Sequence, residues 1–289
     1  GGMLYTTSGQ VPPTLRSGEM NWKQCLNFGG DERDDFHVNP CVYSSVGFTS
    51  KWQDDVLLIG DSHALTLHYD LASSTKSKVN YLLYAGGSCP PFFGPELKTE
   101  CSNFHREAVE FALNNFNVKL VVLSARWSVY VRSGAYEFEN ATVESRNPFG
   151  FTVEDEHRAS QQIEILVQTF LDKNIPVIFV ADYPANGIHI QNAYLKSRKL
   201  GVEIGRKVEL TRNDYEEWIQ PVSTVLQNFR EDERFFFIDS YEVICGDAEV
   251  CRLATETEYF LSDTNHASAR GSALLSKNVS MTVDRLMGD

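Results

Sequence analysis

The chain has 289 residues, of which 42% are hydrophobic and 22% charged, proportions that are typical of a folded globular protein and exclude a disordered or collagen-like chain. Its 39 Asp and Glu outnumber its 26 Lys and Arg, so the formal net charge is −13. A charge of that sign and size repels phosphate groups, and nucleic acid and anionic membrane surfaces are therefore not expected partners. No apolar run approaches the roughly 20 residues of a membrane span.

The first 50 residues are rich in Gly, Pro, Asn, Asp and Ser and show no sustained hydrophobic period. We expect residues 1–50 to form an extension that packs on a single domain covering residues 51–289. The extension contains a polar segment, residues 6–18, which lacks the apolar core of an export leader.

From residue 54 onwards, short apolar runs of strand length alternate with helical segments. Strands are predicted over 56–59, 79–84, 118–124, 175–181 and 235–238, and helices over 62–71, 103–115, 154–173, 214–230 and 268–287. Residues 183–211 carry many Lys and Arg without a clear period and are predicted to be a long surface excursion. This alternation predicts an α/β fold with a mostly parallel sheet that is covered on both faces.

Six cysteines form three pairs that are local in sequence. The simplest connectivity closes three short loops and places the protein in an oxidising compartment: Cys25–Cys41, Cys89–Cys101 and Cys245–Cys251. Buried free thiols in a cytosolic protein are the alternative. None of the spacings is the Cys-x-x-Cys of zinc and redox motifs, so neither a metal nor another cofactor is expected.

The first strand of the predicted sheet ends in Gly60-Asp61-Ser62-His63, where ligands of parallel sheets bind. A serine at this turn presents its hydroxyl beside the free amides of the following helix, which is the position of a nucleophile. The alternative is that Asp61 or Ser62 only caps the helix. No dinucleotide-binding G-x-G-x-x-G and no phosphate-binding P-loop occurs, and Ala64 replaces the second glycine of the α/β-hydrolase elbow.

A nucleophilic serine needs a base, and the base needs a carboxylate to orient it. Asp263-Thr264-Asn265-His266 follows the apolar run 259–261, predicted to be a strand end, and precedes the last helix. The spacing allows Asp263 to hold one nitrogen of His266 while the other faces Ser62, although a plain solvated loop is the alternative. His63 lacks such an acid, and a packing role is favoured for it.

These two blocks together resemble the SGNH, or GDSL-like, hydrolases. Together with Cys89-Pro90-Pro91 and the pair Cys245 and Cys251, they are most similar to the periplasmic SGNH domain that is fused behind membrane acyltransferase-3 domains in bacterial O-acetyltransferases of O-antigen and other surface polysaccharides. The resemblance implies a three-layer α/β/α sandwich as the catalytic domain, a periplasmic location and an acyltransferase-3 membrane portion ahead of residue 1. It also implies acyl-ester chemistry on a polysaccharide acceptor through Ser62, His266 and Asp263.

The resemblance further implies an oxyanion hole made by the Ser62 amide and a glycine amide, which either Gly86 or Gly87 can supply. The asparagine of the family's third block is absent, because the third strand runs into Ser124-Ala125-Arg126-Trp127. Arg126 and Trp127 are expected at the mouth of the site, where Arg126 donates hydrogen bonds and Trp127 stacks on a sugar ring. A core role for Trp127 and a surface role for Arg126 are the alternatives.

We interpret the sequence as a serine-dependent O-acetyltransferase domain with weak esterase activity, whose acceptor is a sugar hydroxyl. A secreted carbohydrate acetylesterase, with water as the acceptor, is a second hypothesis. A glycan-binding module with a vestigial triad is a third.

Overall fold

A computed structural model of the chain describes residues 41–44, 54–87, 89–92, 99–132 and 153–288. Within these ranges, six strands form the central sheet in the order β1-β3-β2-β4-β5-β7. The strands are β1 (Cys41–Ser44), β2 (Asp54–Gly60), β3 (Val79–Ala85), β4 (Val118–Ser124), β5 (Val177–Val180) and β7 (Phe235–Ile238). Only β1 is antiparallel to its neighbour, so the mostly parallel sheet predicted from the sequence is confirmed.

The helices of the described residues alternate with these strands. They are α1 (Ser62–Ser74), α2 (Thr99–Asn114), α3 (Trp127–Val131), α4 (Val153–Leu171), α5 (Ile190–Leu200), α6 (Arg212–Leu226), α7 (Ser240–Cys245) and α8 (Ala269–Met287). Two short strands, β6 (Glu209–Thr211) and β8 (Val250–Arg252), pair with each other outside the main sheet. None of these helices has the length and apolar character needed to cross a bilayer.

Both faces of the sheet are buried, as the continuous apolar run of β2 predicts. Val56 and Leu58 point into one core, which α1, α7 and α8 cover, while Leu57 and Ile59 point into a second core beneath α2, α4 and α6. Side chains of a strand alternate between faces, so four consecutive apolar residues serve two cores at once. The result is the three-layer α/β/α sandwich.

Residues 183–211 correct one prediction, because they are not a continuous irregular excursion. They contain α5, a 3-10 turn over Arg206–Val208 and β6. The apolar stripe of α5 is short, because Ile190 is its one buried residue and Ala193 and Tyr194 pack only partly against the core, and the Lys and Arg of the segment hide it in the sequence.

Two of the three predicted disulfides are present, Cys89–Cys101 and Cys245–Cys251. No free cysteine occurs among the residues for which side chains are described. The third pair, Cys25–Cys41, and the packing of the extension over residues 1–50 lie outside what the structure describes and stay predictions.

Three histidines among the described residues are buried. Burial lowers the pKa of His63 to about 4, that of His68 to about 3 and that of His105 to about 4, from an ordinary value of 6.5. As the pH falls, the unfolded chain therefore takes up these protons first. The stability that the neutral imidazoles contribute is present above about pH 6.5 and is lost as the pH falls through 4.

Replacing one buried histidine is expected to flatten this pH dependence. His105 donates a hydrogen bond from Nε2 to the carbonyl oxygen of Cys89 at 3.3 Å, a bond that a glutamine amide can also donate. In His105→Gln, the fall in the free energy of unfolding between pH 6.5 and 4 should be smaller by about 1 kcal/mol per pH unit. Urea unfolding at a series of pH values measures this slope, and an unchanged slope would contradict a neutral, buried His105.

Candidate active site

Ser62 lies at the turn between β2 and α1, at the carboxyl edge of the sheet. The chain crosses from β2 to β3 on one side and returns to β4 on the other, so this turn sits where the strand order reverses and where such sheets bind ligands. Gly60 makes the turn possible, since a Cβ built there would lie 1.7 Å from the backbone oxygen of Ser124 on β4. The glycine of the motif is therefore required by the close approach of two backbones.

Asp61, rather than Ser62, caps α1. Its Oδ1 accepts a hydrogen bond from the backbone amide of His63 at 2.8 Å, while its Oδ2 accepts one from the Tyr130 hydroxyl at 2.7 Å and one from the Arg126 amide at 3.1 Å. The carboxylate is buried, so these donors replace the water it has lost. The capping carboxylate thus ties the start of α1 to the segment that follows β4 and leaves the serine hydroxyl available.

The structure brings together the three residues that the sequence proposed as a triad. The Ser62 hydroxyl donates to His266 Nε2 at 2.8 Å, and His266 Nδ1 donates to Asp263 Oδ2 at 2.7 Å. All three side chains are partly exposed, so the site is open to a substrate. This is the geometry of a serine nucleophile with its base and orienting acid.

Asp263 is held in its ionised form. Burial alone would raise its pKa, but the hydrogen bond and charge of His266, with backbone amides of Asn265 and His266 on Oδ1, lower the pKa well below its ordinary value. An ionised carboxylate at this position fixes the tautomer of His266 with its Nε2 lone pair towards Ser62.

The loop that carries Asp263 and His266 does not end a strand of the sheet, which corrects the predicted strand end over 259–261. It is held instead by isolated bridges between Ala254 and Tyr259 and between Leu261 and Ala267. Helix α8 follows this loop and packs along α1 through small side chains, with buried Ser272 and Ser276 hydroxyls donating to carbonyl oxygens of α1. The two halves of the triad are therefore joined by the packing of two helices.

His63 also contacts the loop that carries Asp263 and His266. Its Nε2 donates to Asn265 Oδ1 at 3.1 Å, its ring stacks on Tyr183 with centroids 4.6 Å apart, and its backbone oxygen accepts hydrogen bonds from the Tyr183 and Thr66 hydroxyls. Nδ1 has no partner among the described residues, which agrees with a neutral ring. The structure thus gives His63 the packing role that the sequence favoured, together with a bond to the triad loop.

The two glycines proposed for the oxyanion hole are not equivalent. The Gly86 amide already donates to the backbone oxygen of Gly60 at 3.1 Å, as part of the pairing at the end of β3. The Gly87 amide makes no hydrogen bond to another described residue. Gly87 is accordingly the candidate donor beside Ser62, and Gly86 positions the turn.

Trp127 requires a correction. Its side chain is 0% exposed, its indole N–H donates to the backbone oxygen of Val180 at 2.9 Å, and its ring lies on Phe179 with centroids 4.4 Å apart. A ring without an exposed face has no surface for a sugar, so Trp127 belongs to the core. Its neighbour Arg126 is half-buried at the start of α3 and stays a candidate for substrate contact.

Asp182 was missed by the sequence argument, although it directly follows the predicted strand 175–181 at the edge where site residues are sought. It accepts hydrogen bonds from the backbone amide and hydroxyl of Ser128, so Asp182 and Asp61 hold the same short helix, α3. Burial raises the pKa of Asp182 to about 7. Its protonated form therefore contributes stability at low pH, which is lost as the pH rises from about 4 through 7.

No cluster of His, Cys, Asp and Glu suited to a metal ion occurs among the described residues. The site consists of a hydrogen-bonded Ser-His-Asp chain at the carboxyl edge of a parallel sheet within an α/β/α sandwich. That combination defines the class of SGNH-type acyl-transfer folds.

A protein-family model described as an SGNH domain fused to AT3 domains matches residues 24–280. The chain belongs to this family. The periplasmic domain of a lipopolysaccharide acetyltransferase from Salmonella ser. Paratyphi A is similar in structure, with a TM-score of 0.55 and 15% sequence identity over 81% of this chain and 85% of that one.

A putative arylesterase from Agrobacterium tumefaciens str. C58 has a lower TM-score of 0.44 at 13% identity and covers 81% of this chain and 100% of its own. A carbohydrate acetylesterase family member from Sinorhizobium meliloti has a TM-score of 0.42 at 13% identity, over 82% and 100% of the two chains. A search of curated protein sequences found no significant match.

Proposed function

We propose that this domain is the periplasmic, serine-dependent half of an O-acetyltransferase. It accepts an acetyl group from an acyltransferase-3 (AT3) membrane domain in the same full-length chain and transfers it to a sugar hydroxyl of a bacterial surface polysaccharide. The hydrogen-bonded chain from Ser62 through His266 to Asp263 carries the proposal. Membership of the family of SGNH domains fused to AT3 domains supports it, and so does the similarity in fold to a lipopolysaccharide acetyltransferase domain.

In the first half-reaction, Ser62 Oγ attacks the carbonyl carbon of the acetyl donor while its proton moves to His266 Nε2. The bond between the acetyl group and its leaving group breaks, and His266 returns the proton to the leaving group. Asp263 stabilises the imidazolium that forms between these two transfers. Ser62 then carries the acetyl group as an ester.

In the second half-reaction, His266 takes the proton of a sugar hydroxyl, whose oxygen attacks the acetyl-serine ester. A new ester forms on the sugar, the bond to Ser62 Oγ breaks, and the proton returns to the serine. Water in place of the sugar would make the same site an esterase, so the acceptor distinguishes the two functions.

The oxyanion in both half-reactions is stabilised by the amides of Ser62 and Gly87. The third-block asparagine is absent, and the loss of one oxyanion donor costs on the order of a hundredfold in rate. Slow reaction with water protects the acetyl-serine ester. A tethered acyl donor at high effective concentration offsets part of the deficit in transfer.

A fluorophosphonate probe tests the nucleophile directly. The probe should label the 289-residue chain, should fail to label Ser62→Ala, and should label Ser73→Ala, a matched control at an exposed serine on the same helix. Labelling of Ser62→Ala at the wild-type rate would exclude Ser62 as the nucleophile, and a glycan-binding module would then be the better interpretation.

Turnover of a small activated acetyl ester separates transferase from esterase. We expect the isolated chain to cleave the ester with a turnover far below the ~10 per second of a typical enzyme, because its oxyanion hole has two backbone donors and lacks the third donor, the asparagine. Turnover at or above that rate would favour a carbohydrate acetylesterase. Arg126→Ala, assayed in parallel, shows whether the half-buried guanidinium supplies a third donor.

A further inference from the structure

Helix α5 and the turn after it form a cationic surface on a strongly acidic protein. Within residues 190–207, five side chains are Lys or Arg and one is a carboxylate, Glu203, although the whole chain carries a net charge of −13. The 11 residues of α5 itself include no acid. The cations are Lys196, Arg198, Lys199, Arg206 and Lys207, and all five are exposed.

The same surface exposes large apolar side chains. Leu195 is 51% exposed, Leu200 59% and Val202 55%, which is unusual for aliphatic residues so close together in sequence. Leu195 and Lys199 are separated by one turn of helix, as are Lys196 and Leu200, so leucines and lysines share one face. An exposed face that mixes leucine with lysine is suited to the boundary between lipid headgroups and acyl chains.

The opposite side of α5 is attached to the loop that carries the triad. The Ile190 amide donates to the backbone oxygen of Asp263 at 3.1 Å, Gln191 Nε2 donates to the Tyr259 hydroxyl at 2.9 Å, and Tyr194 lies against Tyr259 with ring centroids 5.0 Å apart. The first residues of α5 therefore fix this helix to the loop of the candidate active site.

We infer that the exposed face of α5 is a docking surface for anionic phospholipid headgroups, with the lysines on the phosphates and Leu195, Leu200 and Val202 in the interface. The family's fusion to membrane AT3 domains keeps such a domain close to a bilayer. The inference rests on the proposed function in one respect: Ser62 has to face the membrane to receive an acetyl group from it.

The net charge of the chain does not prevent this docking. At physiological salt the Debye length is about 8 Å, so distant carboxylates are screened while lysines at the lipid surface are not. A weak local attraction is also sufficient, because a tether to a membrane domain raises the effective concentration of the surface to about the millimolar range.

Vesicle sedimentation with the 289-residue chain tests the docking without an activity assay. The chain should bind vesicles of equal parts phosphatidylglycerol and phosphatidylethanolamine, should not bind phosphatidylcholine vesicles, and should be released as salt is raised. In Lys196→Gln/Lys199→Gln, the affinity should fall about 25-fold, at about fivefold for each cation removed. The matched control Lys119→Gln/Lys173→Gln removes two exposed lysines near the amino ends of β4 and β5, away from the carboxyl edge where α5 lies, and should bind like wild type.

A second variant separates lipid from other anions. Leu195→Asn/Leu200→Asn keeps all five cations and should also lose binding, by about tenfold for each leucine. Unchanged binding of this variant would overturn lipid docking in favour of plain anion attraction, such as that of an acidic polysaccharide. Lipid docking would also be overturned if the control Lys119→Gln/Lys173→Gln lost as much vesicle affinity as the α5 lysine variant. It would likewise be overturned if the chain bound no vesicles and instead dimerised through this face.

Both α5 variants should keep wild-type unfolding and the basal turnover of the small ester. Labelling of Ser62 by the fluorophosphonate probe is independent of lipid, so failure of the docking and failure of the proposed function give different results.

Discussion

Replacement of Ser62 or His266 by alanine is expected to lower kcat for acetyl transfer and for ester cleavage by about 10⁴-fold or more, with little change in KM. The physical reason is the 2.8 Å contact between Ser62 Oγ and His266 Nε2, since the serine is a weak nucleophile without the base and the base has no nucleophile to deprotonate without the serine. The double variant should be no worse than either single variant, because the residues act as one unit.

In Asp263→Asn, kcat should also fall by about 10³- to 10⁴-fold, because an amide neither stabilises the imidazolium nor selects the same tautomer of His266. Steady-state and single-turnover kinetics on an activated acetyl ester measure these effects, with Ser73→Ala as the control. If His266→Ala kept most of its activity, His266 would be removed from the mechanism. His63 would then be tested as the base.

Replacement of Asp61 is expected to have the largest effect on stability. Asp61→Ala leaves three donors without their acceptor in a buried site, the amides of His63 and Arg126 and the Tyr130 hydroxyl. The expected loss is roughly 3 kcal/mol or more in the free energy of unfolding, or about 10 °C in Tm. Turnover should fall as well, because the same carboxylate anchors the start of the helix that carries Ser62.

Two further variants remove part of the Asp61 hydrogen bonding and should cause smaller losses of stability. Tyr130→Phe removes one of the three hydrogen bonds and should cost about 1 kcal/mol, while Asp61→Asn keeps an acceptor oxygen and should lie between the two. Thermal and urea unfolding of the three variants measure the series. If Asp61→Ala were as stable as Tyr130→Phe, the carboxylate would not be the anchor of α1 and α3.

The disposition of the strands and the Ser-His-Asp triad could be predicted because each depends on a local signal. Apolar runs such as 118–124 have the length and composition of strands that are buried on both faces, and the structure places β4 over the same residues. The two catalytic blocks are recognisable because each is local in sequence. One is the strand-to-helix turn Gly60-Asp61-Ser62, and the other is the turn from Asp263 to His266, in which acid and base are three residues apart. Ser62 and His266, which are 204 residues apart in sequence, meet because α8, which follows the loop of His266, packs along α1, which begins at Ser62.

Other features depended on contacts that no local pattern contains. Gly86 and Gly87 are equivalent in sequence, and only the pairing of Gly86 with Gly60 across β2 and β3 separates them. Trp127 follows a strand, as a site residue would, but its ring packs on Phe179 of β5 and is fully buried, and its indole N–H donates to the Val180 oxygen. A side chain's burial is set by what packs against it from distant parts of the chain.

The sequence by itself therefore determined the class of fold, the convergence of Ser62, His266 and Asp263, and the two disulfides that the structure describes, since these rest on hydrophobic period and on residues that are close in the chain. The tertiary structure alone decided that, among the described residues, the Gly86 amide is hydrogen-bonded and the Gly87 amide is not, that His63 is buried and bonded to Asn265, and that the helix with the exposed lysines packs on the triad loop. The physical reason is that hydrogen-bond partners, desolvation and the local arrangement of charge are properties of neighbours in space, and the packing of α5 and α8 on the triad loop chooses those neighbours.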